Sequence, residues 1–289
     1  MLPWPIRVIY VGHERNNKIA YLEAIFFISI CLCLGLSSGF LGGLLGIGGG
    51  IVIVPVLAIY FSESERYTPD VVLLIAVATS LACTVFTSAS AALAQARAKR
   101  VNFTAVKRLL PSLVLGGFIA GYVAPLVAVN LLKTFFALFL LTVASVMFFQ
   151  WRPLPNRQLP GVFAASLIGG VAGFVSALVG IAGGNILVPT LTYFNVATHN
   201  ATATASVLGL PLAAVGALSY GLSAADIDTS TKMLGWIDLE AAVPIILGAI
   251  VAAPLGVRFA QRVPAITLKK IFAGALFLAS LRMLASVSA

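Results

Sequence analysis

The sequence predicts an all-α polytopic membrane protein of two pseudo-symmetric, inverted repeats, each a glycine-broken helical hairpin followed by three transmembrane helices. Three observations carry this reading. Hydrophobic residues make up 60% of the 289 positions and charged residues only 9%. Uncharged runs cover residues 24–62, 71–96, 109–132 and 158–225. A membrane helix needs roughly 20 apolar residues, so each run holds at least one span. Finally, one glycine-rich motif occurs twice, 134 positions apart. The runs are continuous rather than alternating, and in lipid only helices or closed barrels satisfy the backbone, so helices are expected.

The chain divides into an N-terminal segment, residues 1–21, and two repeats, residues 22–151 and 158–287, joined by the polar link Arg152-Pro153-Leu154-Pro155-Asn156-Arg157. Arg7, Arg15 and Lys18 ahead of an apolar run mimic a signal peptide. That run leads straight into the first glycine motif, and its counterpart around residues 168–180 is internal, so it is read as a membrane segment. The motif runs from Gly39-Phe40 through Gly46-Ile47-Gly48-Gly49-Gly50 to Pro55, and again from Gly173-Phe174 through Gly180-Ile181-Ala182-Gly183-Gly184 to Pro189. Nine of its 17 positions are identical between the copies. Weaker anchors follow in both repeats. Thr79-Ser80 pairs with Ala205-Ser206. Pro111 with Gly116, Gly117 and Gly121 pairs with Pro244, Gly248 and Gly256, and residues 132–137 pair with 268–273.

Equivalent loops carry opposite charge. Arg97, Lys99, Arg100, Lys107 and Arg108 cluster in the first repeat, where the second has Asp226, Asp228, Lys232, Asp238 and Glu240. The next loop reverses the trend, with Lys133 alone against Arg258, Arg262, Lys269 and Lys270. Cationic loops stay in the cytoplasm, so the repeats are expected to insert in opposite senses. Inversion needs an odd number of crossings per repeat. Residues 51–61 and 186–194 are too short to cross about 30 Å of hydrocarbon at 1.5 Å per residue, so each glycine segment is expected to turn back. The loops at 97–108, 152–157 and 258–270 then lie inside, and Glu63, Glu65, Asp70, Asp226, Asp228, Asp238 and Glu240 outside. A parallel arrangement with full first spans would instead put the 258–270 cations outside.

Broken backbone at membrane depth is tolerated where it is shielded or lines a watery cavity. Short helices starting after each turn would aim their N-termini, with unpaired N–H groups and partial positive charge, at a shared point. Two such ends make a cage for an anion without a charged side chain. The candidate binding residues are Gly46, Gly48, Gly49 and Gly50, then Gly180, Gly183 and Gly184, with Thr79, Ser80, Asn185 and Ser206 adding hydroxyl and amide groups. No ionisable residue stands in the middle of a long apolar run, so no buried carboxylate, proton relay or sodium site is legible. The plainer alternative for single glycines is helix packing, because Gly35, Gly39 and Gly43 follow small-xxx-small spacing.

Other chemistry is excluded by context. Gly35-Leu36-Ser37-Ser38-Gly39 matches a hydrolase G-x-S-x-G string but lies in an apolar segment with only His13 and His199 available as a base. The glycine run lacks dinucleotide and P-loop registers. Three cysteines and two histidines build neither a disulfide framework nor a metal site, so no catalytic residue, metal or cofactor is expected. The net charge of +9 sits in loops and the N-terminal segment, which sets orientation rather than binding nucleic acid.

The paired motif resembles that of the sulfite exporter TauE/SafE family, of the toluene sulfonate uptake permease group. The likeness covers residues 22–287, Thr79-Ser80 included. It implies a multi-pass inner-membrane transporter, an exporter by its family name, for sulfur oxyanions such as sulfite, sulfonates or sulfoacetate, working by alternating access. The partners implied are a small anion and the lipid bilayer, with homo-oligomerisation left open. Ala182 for Gly48 and Asn185 for Ile51 depart from the first copy and bear on which anion fits. The alternatives are a passive anion channel and a non-transporting membrane scaffold.

Overall fold

The computed structural model describes residues 17–45, 48–64, 66–97, 99–149, 160–223, 232–259 and 265–288. Gly46, the link at 152–157, Asp226 and Asp228 lie outside the described residues. The helices are α1 (Asn17–Leu45), α2 (Gly50–Glu63), α3 (Val72–Arg97), α4 (Phe103–Val123), α5 (Val129–Phe148), α6 (Val162–Val179), α7 (Gly184–Tyr193), α8 (Thr198–Leu222), α9 (Leu239–Phe259) and α10 (Ala265–Ser288). A two-residue antiparallel hairpin, β1 (Met233–Leu234) and β2 (Ile237–Asp238), precedes α9. Among the described residues, seven helices are long and apolar enough to cross a membrane: α1, α3, α4, α5, α6, α8 and α9. The protein is thus an all-α multi-pass membrane protein.

Both glycine motifs break a helix. α1 and α6 are themselves of spanning length, so it is the returning helix that is short. α2 has 14 residues and α7 has 10, or about 21 Å and 15 Å at the helical rise. The first break reverses the chain. In one straight helix Ser38 and Gly49 would stand about 16 Å apart. Instead, a Cβ on Gly49 would come within 2.7 Å of the Ser38 carbonyl oxygen. Further along, the rings of Phe27 on α1 and Tyr60 on α2 stack with centroids 5.2 Å apart. In the second copy a Cβ on Gly183 would lie 3.1 Å from the Leu212 side chain of α8 and 3.2 Å from the Ser176 hydroxyl of α6.

Left-handed backbone makes these turns possible, at Gly48 (φ 79°) in the first and at Gly180 (φ 78°) and Gly183 (φ 77°) in the second. Glycine takes this conformation without a Cβ clash. Alanine does not, and Ala182 stands where Gly48 would. The left-handed residue accordingly falls one position later, on Gly183.

The helix contacts come in exchanged pairs. α1 lies along α9 and α4 along α6, while α3 packs on α8 and α5 on α10. Glycines let the outer pairs touch backbone to backbone. Gly35 meets Ile245 and Gly39 meets Ala249, while their motif equivalents Gly169 and Gly173 meet Leu109 and Leu113. α3 is the most enclosed helix, with residues 71–81 all buried, and it carries most of what positions the site.

Two groups of elements gather at opposite ends. The end of α2, the start of α3, the start of α9 and the end of α10 are joined by Glu63–Arg282, Arg66–Asp238 and Arg66–Glu240. The starts of α4 and α8 and the residues before α6 are joined by Asn102–Thr204 and Arg108–Pro160. The acids Glu63, Asp238 and Glu240 thus stand at one end, and Arg108 at the other.

Candidate functional site

The two glycine turns meet. A Cβ on Gly50 would lie 2.5 Å from the Gly180 carbonyl oxygen, and one on Gly48 would lie 3.2 Å from the Ala182 methyl. The starts of α2 and α7 are thereby brought side by side, each with first-turn N–H groups that no earlier turn can satisfy. A small cleft between them is lined by Gly48, Ser88, Ala91, Ala182, Gly184, Ala205 and Ser206.

The candidate residues separate into three groups. Gly48, Gly184 and Ser206 line the cleft. Gly50, Ser80 and Gly180 form the junction behind it, where the Ser80 hydroxyl donates to the Gly180 carbonyl at 2.8 Å and lies 3.3 Å from the Gly50 carbonyl. Gly49 and Gly183 back the turns onto α1 and α6. Thr79 is apart from all of these. Its hydroxyl faces away from the turn and accepts the Asp238 N–H at 3.0 Å. Ser206 lines the cleft while donating to the Thr202 carbonyl of its own helix at 3.0 Å. Asn185 follows the second turn, and its buried Nδ2 has no hydrogen-bond partner among the described residues. Nor has the buried hydroxyl of Ser176, which stands 3.2 Å from where a Gly183 Cβ would be.

Two further residues belong with the first turn. Thr84 Oγ1 lies 2.9 Å from the Gly50 Cβ position, and Ser88 Oγ 3.7 Å from that of Gly48. With Ser80 they stand at i, i+4 and i+8, one face of α3. That spacing is visible in the sequence as Ser80, Thr84 and Ser88 within an apolar run.

The pairing of Thr79-Ser80 with Ala205-Ser206 shifts by one residue. Thr204 does for the second half what Thr79 does for the first. Its hydroxyl accepts the N–H of Asn102, which caps α4, just as Thr79 accepts the N–H of Asp238 ahead of α9. Each cap side chain then accepts an N–H three residues on, Asn102 from Ala105 at 3.1 Å and Asp238 from Ala241 at 3.0 Å.

The expectation that no carboxylate is buried fails at Asp238, which is 1% exposed. Its second oxygen accepts the Tyr67 hydroxyl at 2.8 Å and lies 3.7 Å from Arg66 Nε. Arg66 also pairs with Glu240 and lies over the Phe27 ring, 4.6 Å from its centroid. Burial opposes the Arg66 charge, but the Asp238 carboxylate and the bonds to Glu240 and Tyr67 outweigh it and hold the guanidinium above its usual pKa. Burial, then the same carboxylate, raises Tyr67 above the ordinary tyrosine range, so it stays a donor.

The profile of a family described as Sulfite exporter TauE/SafE matches residues 31–283. A "Probable membrane transporter protein" of Haemophilus influenzae is 30% identical over 261 residues, covering 89% of this chain and 98% of that one. Another from Methanocaldococcus jannaschii is 28% identical, covering 83% and 89%. The "Probable membrane transporter protein MamO" of Paramagnetospirillum magneticum is 27% identical across 99% of this chain, which spans 49% of that longer protein. No solved structure matches.

Proposed function

The chain belongs to the sulfite exporter TauE/SafE family of membrane transporters, and from that premise we propose that it carries a small sulfur oxyanion held between its two glycine turns. The observation that carries this is the contact of the turns at Gly50 and Gly180, which sets two helix N-termini beside one cleft. Backbone N–H groups and helix dipoles suit an anion there. Asn185, next to the cleft-lining Gly184, adds a buried Nδ2 donor with no partner among the described residues, as an amide meant for a ligand would have. The anion would be sulfite, a sulfonate or sulfoacetate.

The two halves are read as inverted repeats that rock against each other, so that the cleft opens to alternate sides. The exchanged helix contacts and the paired threonine bonds support that reading, because each feature of one half recurs with the roles reversed. The acid-rich end is then the outer one and the Arg108 end the cytoplasmic one, by the positive-inside rule.

The test is uptake into proteoliposomes of labelled sulfite, thiosulfate and a sulfonate. A saturable flux with counterflow is expected for at least one of them. A rate equal to empty liposomes for every anion removes the substrate reading, and flux without counterflow makes the protein a channel.

A further inference from the structure

We propose that Arg66, Tyr67, Asp238 and Glu240 form a clasp that shuts one mouth of the protein, so that opening at this end requires an ion pair to part. The inference rests on the carrier reading above.

The clasp joins the halves. Arg66 and Tyr67 lie in the link between α2 and α3, whereas Asp238 ends β2 just ahead of α9 and Glu240 lies in the first turn of α9. Every bond between these two pairs therefore ties the first repeat to the second at one end only. It is also enclosed at Arg66 and Asp238, whereas Glu240 at its rim is 41% exposed. The Arg66 side chain is 14% exposed, and Phe27 of α1 covers its face.

A buried ion pair is a poor source of net stability, since desolvation cancels much of the attraction, and its best-attested use is to choose between arrangements. Here the closed arrangement is incompletely satisfied. Among the described residues, Arg66 Nε and the buried Trp236 Nε1 on the adjoining hairpin have no hydrogen-bond partner. Water entering this end would meet both donors and the ion pair together.

The opposite end shows what the clasp adds. Asn102 occupies the position of Asp238, with the same bond to a threonine and the same cap bond. It is neutral, and among the described residues its side chain makes only that cap bond. Of the cations near it, Lys99, Arg100 and Lys107 are exposed and Arg108 donates to the Pro160 carbonyl. Two ends with one backbone plan therefore differ in charge. One can be latched by an ion pair and the other cannot, so the two conformations of the carrier are held unequally.

Ser88→Cys in a background with Cys31, Cys33 and Cys83 replaced by alanine reports access to the cleft. In Asp238→Asn and Arg66→Gln, an impermeant thiol reagent applied at the clasp end should label this cysteine about tenfold faster than in the intact clasp. Arg66→Lys should stay near the parent rate, and labelling from the other end should not rise. In a second arm, Arg66→Cys with Glu240→Cys is joined by a short reducible bis-thiosulfonate linker. Flux should stop and return on reduction. Unchanged labelling in both cut variants, or undiminished flux through the linked protein, overturns the clasp. If the parent carries none of the anions, the carrier reading fails, and the labelling arm alone decides the clasp.

Discussion

The hydroxyl of Ser80 donates to the carbonyl of Gly180 across 2.8 Å, from the third helix of one half to the glycine turn of the other. Both groups are buried. Ser80→Ala would strand the carbonyl without a donor, which costs roughly 1–3 kcal/mol. A clear fall in melting temperature in detergent is expected. Thr142→Ala on α5 is the control, because that hydroxyl donates to its own helix at Leu138 and its loss should shift melting little. Equal shifts in the two variants would show that the bond between the turns carries no weight.

Gly50→Ala tests the contact of the turns directly. Its methyl would press on the Gly180 carbonyl at 2.5 Å, and backbone there cannot yield like a flexible side chain. Transport should be lost while the protein still folds, since the hairpins can part slightly. Gly274→Ala on α10 meets nothing within 4 Å and should leave melting and flux as they are or raise stability slightly. Retained flux in Gly50→Ala would mean that the spacing of the turns does not define the site.

Asn185→Ile copies the residue at the equivalent place in the first motif, Ile51. Removing a buried donor that has no partner among the described residues should hold or raise melting temperature. Removing a ligand donor should raise KM for the transported anion several-fold. The two readouts moving in opposite directions mark a residue kept for binding. A fall in melting with unchanged KM would mark it as structural.

The legible parts of this molecule were those written locally. The duplicated glycines announce the broken helices because left-handed turns need glycine, and Gly180 and Gly183 adopt that backbone. The hydroxyl face of Ser80, Thr84 and Ser88 was also open to reading, since helical spacing alone places the three together. Asp238 was not. It stands in the sequence as one of several loop acids, and its burial depends on Tyr67 and Arg66, about 170 positions earlier. The role of Thr79 was hidden for the same reason, since its bond to the Asp238 N–H belongs to the packing of α3 against the start of α9.

Orientation follows from the ends. If the halves are inverted, Arg100 and Arg258 lie on the same side of the membrane, despite being in equivalent halves' different loops. Single-cysteine variants at these two exposed positions should react with an impermeant reagent only from the cytoplasmic face. Reaction from opposite faces would establish parallel repeats instead.

Two of the ion pairs at the acid-rich end should behave unlike each other. Arg282 and Glu63 are 59% and 62% exposed, so Arg282→Ala should cost less than about 1 kcal/mol. Asp238→Ala leaves Arg66 largely buried without its carboxylate and should cost about 3–5 kcal/mol. Tyr67 adds a pH signature. Its pKa is raised in the fold, so its contribution is complete below the ordinary tyrosine value of about 10 and fades as pH climbs beyond it. Melting of the wild type should therefore drop more between about pH 8 and about pH 10.5 than melting of Tyr67→Phe, which has no proton to lose there. Parallel pH curves for the two proteins would show that the Tyr67–Asp238 bond adds nothing to the stability of this end.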